Sequence, residues 1–147
     1  MIQIRRIVCP TDFSATAARA VDYAAEMART FDAELTLLHV VPEMNYPLRS
    51  FGMASAFPHL REELHKRADD ELQKEKARLG ASTKANTLLR DGEAHIQVLE
   101  CAKSLGADLI VIGTHGHTGI RHAFLGSTAE KVVRLSECPV LTVRTAD

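Results

Sequence analysis

No apolar run in this chain approaches the roughly 20 residues needed to span a bilayer. The opening stretch, Met1-Ile-Gln-Ile-Arg-Arg6, carries no signal-peptide apolar region. Neither a membrane partner nor export is expected, and a soluble cytoplasmic protein is the default. Excess charge of either sign is also missing: the formal net charge is −1 over 147 residues. The basic stripe of a nucleic-acid-binding surface is absent, so no nucleic-acid partner is expected. Cysteine is scarce, with only Cys9, Cys101 and Cys138 and no C-x-x-C pair. An odd, widely spaced set argues against a disulfide framework and against a structural zinc site. Cys9 and Cys101 fall in apolar segments and read as small buried hydrophobes. Internal repeats, low-complexity tracts and composition breaks are lacking, so residues 1–147 are read as one domain.

What is present is ordinary globular material, 46% hydrophobic and 25% charged. Ile2 to Cys9 reads as a first strand, broken by Pro10-Thr11-Asp12. Ser14 is a good N-cap for a helix carrying Ala17, Ala20, Val21, Ala24, Ala25 and Ala28 at helical spacing. Ala33 to Val40 reads as strand two, and Pro42 to Pro58 as a long irregular loop. A highly charged helix follows, with Leu60, Leu64, Ala68, Leu72 and Leu79 as its thin apolar stripe. Thr83 to Arg90 reads as a third strand at a sheet edge. Glu93 to Leu105 reads as a helix closed by Gly106. Leu109 to Ile112 is strand four and Pro139 to Arg144 strand five. Strands alternating with helices, several of them continuously apolar, predict an α/β fold whose parallel sheet is covered on both faces.

The most informative segment is Gly113-Thr-His-Gly116, nine residues, then Gly126-Ser127. It leaves strand four and enters a helix over Ser127 to Ser136. Glycines let backbone N–H groups approach an anion, and a helix N-terminus adds unsatisfied donors and partial positive charge. Ser127 and Glu130 also fit a capping box; cap and phosphate cradle would use the same donors, and the pattern serves both. The segment is not a Walker A loop, because no Gly-Lys-Ser/Thr occurs. Nor is it the Rossmann fingerprint, because Gly113, Gly116 and Gly119 are three apart and follow the fourth strand. Pro10-Thr11-Asp12 follows strand one, so if strands one and four are neighbours where the strand order reverses, both loops line one crevice.

This pattern resembles the ATP-binding signature of the universal stress protein family, G-2x-G-9x-G-(S/T). Pro10-Thr11-Asp12-Phe13-Ser14, Leu38-His39-Val40 and Cys138-Pro139-Val140-Leu141-Thr142-Val143 are similar to that family's opening, second-strand and closing segments. The resemblance implies a doubly wound five-stranded sheet of order 3-2-1-4-5. It implies ATP, carried with Mg²⁺, with adenosine near Pro10, Thr11, Asp12 and Val40. Gly113 would lie under the ribose and first phosphate, and Gly116, His117, Gly126, Ser127 and Thr128 near the phosphates. It implies a homodimer through the last strand, residues 139–144. Family members often carry Arg or Lys where this chain has His117, so a fixed positive charge is missing there. Thr128 stands where an aliphatic residue is common. On the residues alone, Asp12 also serves as a turn cap and Val40 as a core residue.

An ATP-binding regulatory module of the stress response is the leading expectation, with protein partners that the sequence does not name. A slow ATP hydrolase using Asp12, His115 or His117 to position water is the alternative. No catalytic base with an orienting partner is recognisable, so no catalytic residue is assigned. His115, His117 and His122 fall within eight positions, yet without a nearby carboxylate or thiolate they make an incomplete metal set, and none is assigned.

Overall fold

Three short, largely buried runs, Ile7 to Cys9, Leu35 to Leu38 and Leu109 to Ile112, set the centre of the molecule. The computed structural model describes residues 1–43, 57–115 and 125–145. In chain order the elements are β1 (Arg6–Pro10), α1 (Ala15–Phe31), β2 (Glu34–Val41), α2 (Phe57–Leu79), β3 (Lys84–Asp91), α3 (Ala94–Leu105), β4 (Leu109–Gly113), α4 (Ser127–Leu135) and β5 (Val140–Val143). All strand pairings are parallel and the order is β3-β2-β1-β4-β5, as the family resemblance implies. Register places Cys9 beside Leu37, Val8 beside Ile110 and Val111 beside Leu141.

Alternation along the strands divides the core into two layers. Ile7, Cys9, Leu35, Leu37 and Val111 face α1 and α2, meeting Ala20, Val21, Ala24, Ala28 and Leu72. Val8, Leu38, Ile110 and Ile112 face α3 and α4, meeting Val98, Cys101, Ala129 and Val132. Burying a side chain such as Leu35 or Leu72 is worth about 1.5–3 kcal/mol before entropy is subtracted. The alanine face of α1 has little side chain to hold it off the sheet, and the helix lies close. Ser14 caps it as expected, its Oγ accepting from Ala17 N at 3.2 Å. Gly106 closes α3 in the left-handed region at φ 62°, where a β-carbon would be strained.

Several boundaries differ from the sequence reading. Residues 2–5 are not strand, because β2 and β4 begin only at Glu34 and Leu109 and offer no ladder further out. The Arg5 and Arg6 amides instead donate to the Asp108 carboxylate at 2.8 and 3.0 Å. Pro58 belongs to α2 rather than to the preceding loop, most of which (44–56) lies outside the described residues. Leu60 is 41% exposed, so the buried stripe of α2 begins effectively at Ala68. Among the described residues no helix is long and apolar enough to cross a membrane.

Candidate functional site

The chain leaves β1 towards α1 on one face and leaves β4 towards α4 on the other. Because β1 and β4 are neighbours, their departing loops diverge and open a crevice at the carboxyl edge of the sheet. Its volume is about 340 Å³, within the range of small-molecule sites. Pro10, Thr11, Asp12, Val40, Gly113, Gly126, Ser127 and Thr128 all line it. Gly116 and His117 lie outside the described residues.

The β1 side is a compact turn. Thr11 N donates to Leu38 O at 2.8 Å, and Thr11 Oγ1 accepts from Phe13 N at 3.1 Å. Asp12 Oδ1 accepts from Ser14 N at 2.9 Å. The capping role weighed for Asp12 is therefore real, and it coexists with a place on the crevice wall. Phe13 sits at φ 64°, unusual for a bulky residue.

The β4 side is anchored by Thr114, which is 2% exposed. Thr114 N donates to Val143 O at 3.0 Å, and Thr114 O accepts from Gly126 N at 2.6 Å. Thr114 Oγ1 meets His115 Nδ1 at 2.9 Å. The Nε2 of His115 is buried and has no hydrogen-bond partner among the described residues. Gly126 N and Thr114 O thus tie the end of β4 to the start of α4. A β-carbon on Gly126 would lie 3.0 Å from that same carbonyl, so a larger residue would push the crossing apart by a few tenths of an ångström.

The expected capping box is not formed. Gly126 is the N-cap and Ser127 the first helical residue, because the Thr114–Gly126 bond sets the helix start one residue early. Glu130 turns outward to Arg134 at 3.0 Å. Its N-cap, a glycine, has no side chain to cap α4, and Ser127 and Thr128 of its first turn line the crevice with donors to offer. The N-terminus of α3 also reaches the crevice through Ala94 and lacks a side-chain cap. The Glu93 carboxylate there meets His95 Nδ1 at 3.2 Å and Lys131 Nζ at 3.8 Å.

His39, Ala94, Val98 and Thr114 line the crevice too and were not singled out from sequence. Val98 looks like core because α3 reaches the site only through the tertiary fold. His39 carried a usable signal, an imidazole at the end of an otherwise apolar strand. Among the described residues no group of three His, Cys, Asp or Glu side chains is placed to hold a metal.

The sequence model of the universal stress protein family matches residues 3–144. Universal stress protein YxiE of Bacillus subtilis is 35% identical over 145 residues, covering 95% of this chain and 98% of its own. Universal stress protein UspA from Lactobacillus plantarum superposes with a TM-score of 0.85 at 26% identity, over 97% of this chain and 99% of that one. A universal stress protein solved in complex with cAMP has a TM-score of 0.69 and 27% identity, over 98% and 99% of the two chains.

Proposed function

We propose that this chain, which belongs to the universal stress protein family, is a stress-response regulatory protein that binds ATP in the crevice between β1 and β4 and works as a homodimer. The observation that carries this is the N-terminus of α4, which starts from a glycine N-cap and lines the same crevice as Gly113 and the Asp12 turn. A helix end contributes only about 0.3–1 kcal/mol per nearby charge, whereas micromolar binding needs about 8 kcal/mol. The amides of Ser127, Thr128 and their neighbours would bond phosphate oxygens directly. The base would supply the remainder by burial against Leu38, Val98 and Ile112.

Base selectivity follows from the end of the β1–β2 ladder. Leu38 O accepts from Thr11 N, and Cα pairing with β1 stops at Pro10 beside Leu38. Two residues on, Val40 turns its N–H and C=O to the same edge. One donor beside one acceptor matches N1 and the N6 amino group of adenine and mismatches both positions of guanine. The cAMP complex of a relative is consistent with an adenine site. Mg²⁺ would be held by the phosphates and would neutralise part of their charge. Gly116 and His117 complete the phosphate side in this proposal. For the dimer, support comes from β5, which among the described residues pairs only with β4 and keeps Val140, Leu141 and Thr142 half-buried. A second copy of residues 139–144 would cover that edge.

Heat-denaturing purified protein and chromatographing the supernatant tests the ligand: adenine nucleotide is expected. ATP at a hundred times its Kd should add about 2.7 kcal/mol and raise Tm by about 5–10 °C. No released nucleotide, together with no shift at millimolar ATP, would overturn the proposal. Release of inorganic phosphate that Gly116→Val abolishes would favour the hydrolase alternative.

A further inference from the structure

Thr11 is held at each of its polar groups. Its N–H goes to Leu38 O and its hydroxyl accepts from Phe13 N. Its carbonyl lies 2.7 Å from His39 Nδ1. A carbonyl only accepts, so His39 carries its proton on Nδ1 and donates. Consecutive residues of β2, Leu38 and His39, thus grip Thr11 by N–H and C=O together. The imidazole also stacks on Phe13, with centroids 4.5 Å apart and planes at 27°. Phe13 is the residue forced to φ 64°, a conformation that persists only where its surroundings over-determine it. Between the two clamped residues stands Asp12, on the crevice wall.

We propose that His39 is a positioning residue that holds the Thr11–Ser14 turn, and through it the Asp12 carboxylate, in the geometry that meets the nucleotide. The proposal rests on the nucleotide-binding reading of the crevice. It assigns His39 no contact with ligand; its effect passes through the Thr11 carbonyl and the Phe13 ring. An apolar residue in its place would fill the volume and lose the donor. Asparagine would keep a side-chain N–H near the position of Nδ1.

The test compares His39→Leu, His39→Asn, Asp12→Ala and the double variant His39→Leu/Asp12→Ala. ATP affinity is measured by titration calorimetry, with urea unfolding in the absence of nucleotide as the fold control. His39→Leu should weaken ATP about tenfold, and His39→Asn should stay within about threefold of the parent. The double variant should bind within about twofold of Asp12→Ala alone, because both lesions remove the same contact. Full additivity, or parental affinity in His39→Leu, would overturn the proposal. Amide exchange of Thr11, Phe13 and Ser14, whose N–H groups are bonded within the turn or to β2, forms a second arm read by NMR. Exchange should speed up in His39→Leu and slow again in His39→Asn; unchanged exchange would also overturn it. If the parent protein binds no ATP, the nucleotide reading fails, and this arm still decides whether His39 holds the turn.

Discussion

Gly113→Ala separates two reasons for a glycine at the head of the loop. Gly113 is not in the left-handed region, so conformation does not demand it. An added β-carbon would lie 3.0 Å from Thr16 Cγ2, 3.2 Å from Thr16 O and 3.3 Å from Thr16 C. All three atoms belong to the first turn of α1, on a residue 7% exposed. Two are backbone and cannot be rotated away, so α1 must shift from β4 by a few tenths of an ångström. Overpacking of this kind costs about 1–3 kcal/mol. With a urea slope near 2 kcal/mol per M, a loss of about 2 kcal/mol lowers the midpoint by about 1 M. The assay is equilibrium urea unfolding without nucleotide, run beside ATP titration of the folded variant. Affinity should fall by a smaller free energy than stability, because the added methyl meets α1 first. Thr16→Ser in the same background removes Cγ2 alone and should recover less than half of the loss. An unchanged urea midpoint together with weakened ATP binding would refute the packing account and give the glycine to the ligand.

Further outcomes follow from other parts of the molecule. ATP should compete with a fluorescent adenine nucleotide at least about a hundredfold better than GTP, since each mismatched edge leaves a buried polar group unpaired; equal competition would remove Val40 as the base reader. Burial pushes the Asp91 carboxyl up, but hydrogen bonds from His65 at 2.6 Å and Arg61 at 2.9 Å, with their charges, hold it below the ordinary range. Its contribution is therefore present above about pH 4 and is lost as pH falls through the lower folded value. Asp91→Asn should cost about 0.5–1 kcal/mol at pH 6 and nothing at the acid end, read from urea midpoints across pH. Burial pushes the Cys9 and Cys101 thiols up and both are within 1% of full enclosure. A thiol reagent should label Cys138 alone in the native protein and all three cysteines after unfolding, counted by intact mass.

The parts of this fold that were legible in the chain are those set by neighbours in sequence. Leu35-Thr36-Leu37-Leu38 and Leu109 to Ile112 announce buried parallel strands because no polar face interrupts them for long. Ser14 announces α1 because its hydroxyl reaches only three residues ahead. Misreadings arose where a distant group decides. Ser127-Thr-Ala-Glu130 has the local form of a capping box, yet the Thr114 carbonyl claims Gly126 and begins the helix there. Ile2 to Arg5 has strand character and no partner strand long enough to use it. Leu60 keeps the spacing of the α2 stripe but reaches no core. At the site, the loop residues were visible as departures from strand and helix pattern, while Val98 and Thr114 were hidden inside it. Their role comes from strand order, which periodicity does not encode.

The bond between Gly126 N and Thr114 O has a consequence for how this protein can diverge. It fastens the two ends of the intervening segment to each other, and Thr114 N fastens both to β5. Chain closure is then secured by the frame, and its cost depends only weakly on how long the segment is, since closure entropy grows with the logarithm of length. The two anchors themselves lie at the end of β4 and the start of α4, and not in the stretch between them. Doubling the length of chain between the two anchors would cost only about 0.6 kcal/mol of closure entropy. Tolerance to length at this point of the chain thus hangs on one short backbone hydrogen bond whose two partners both sit in the frame.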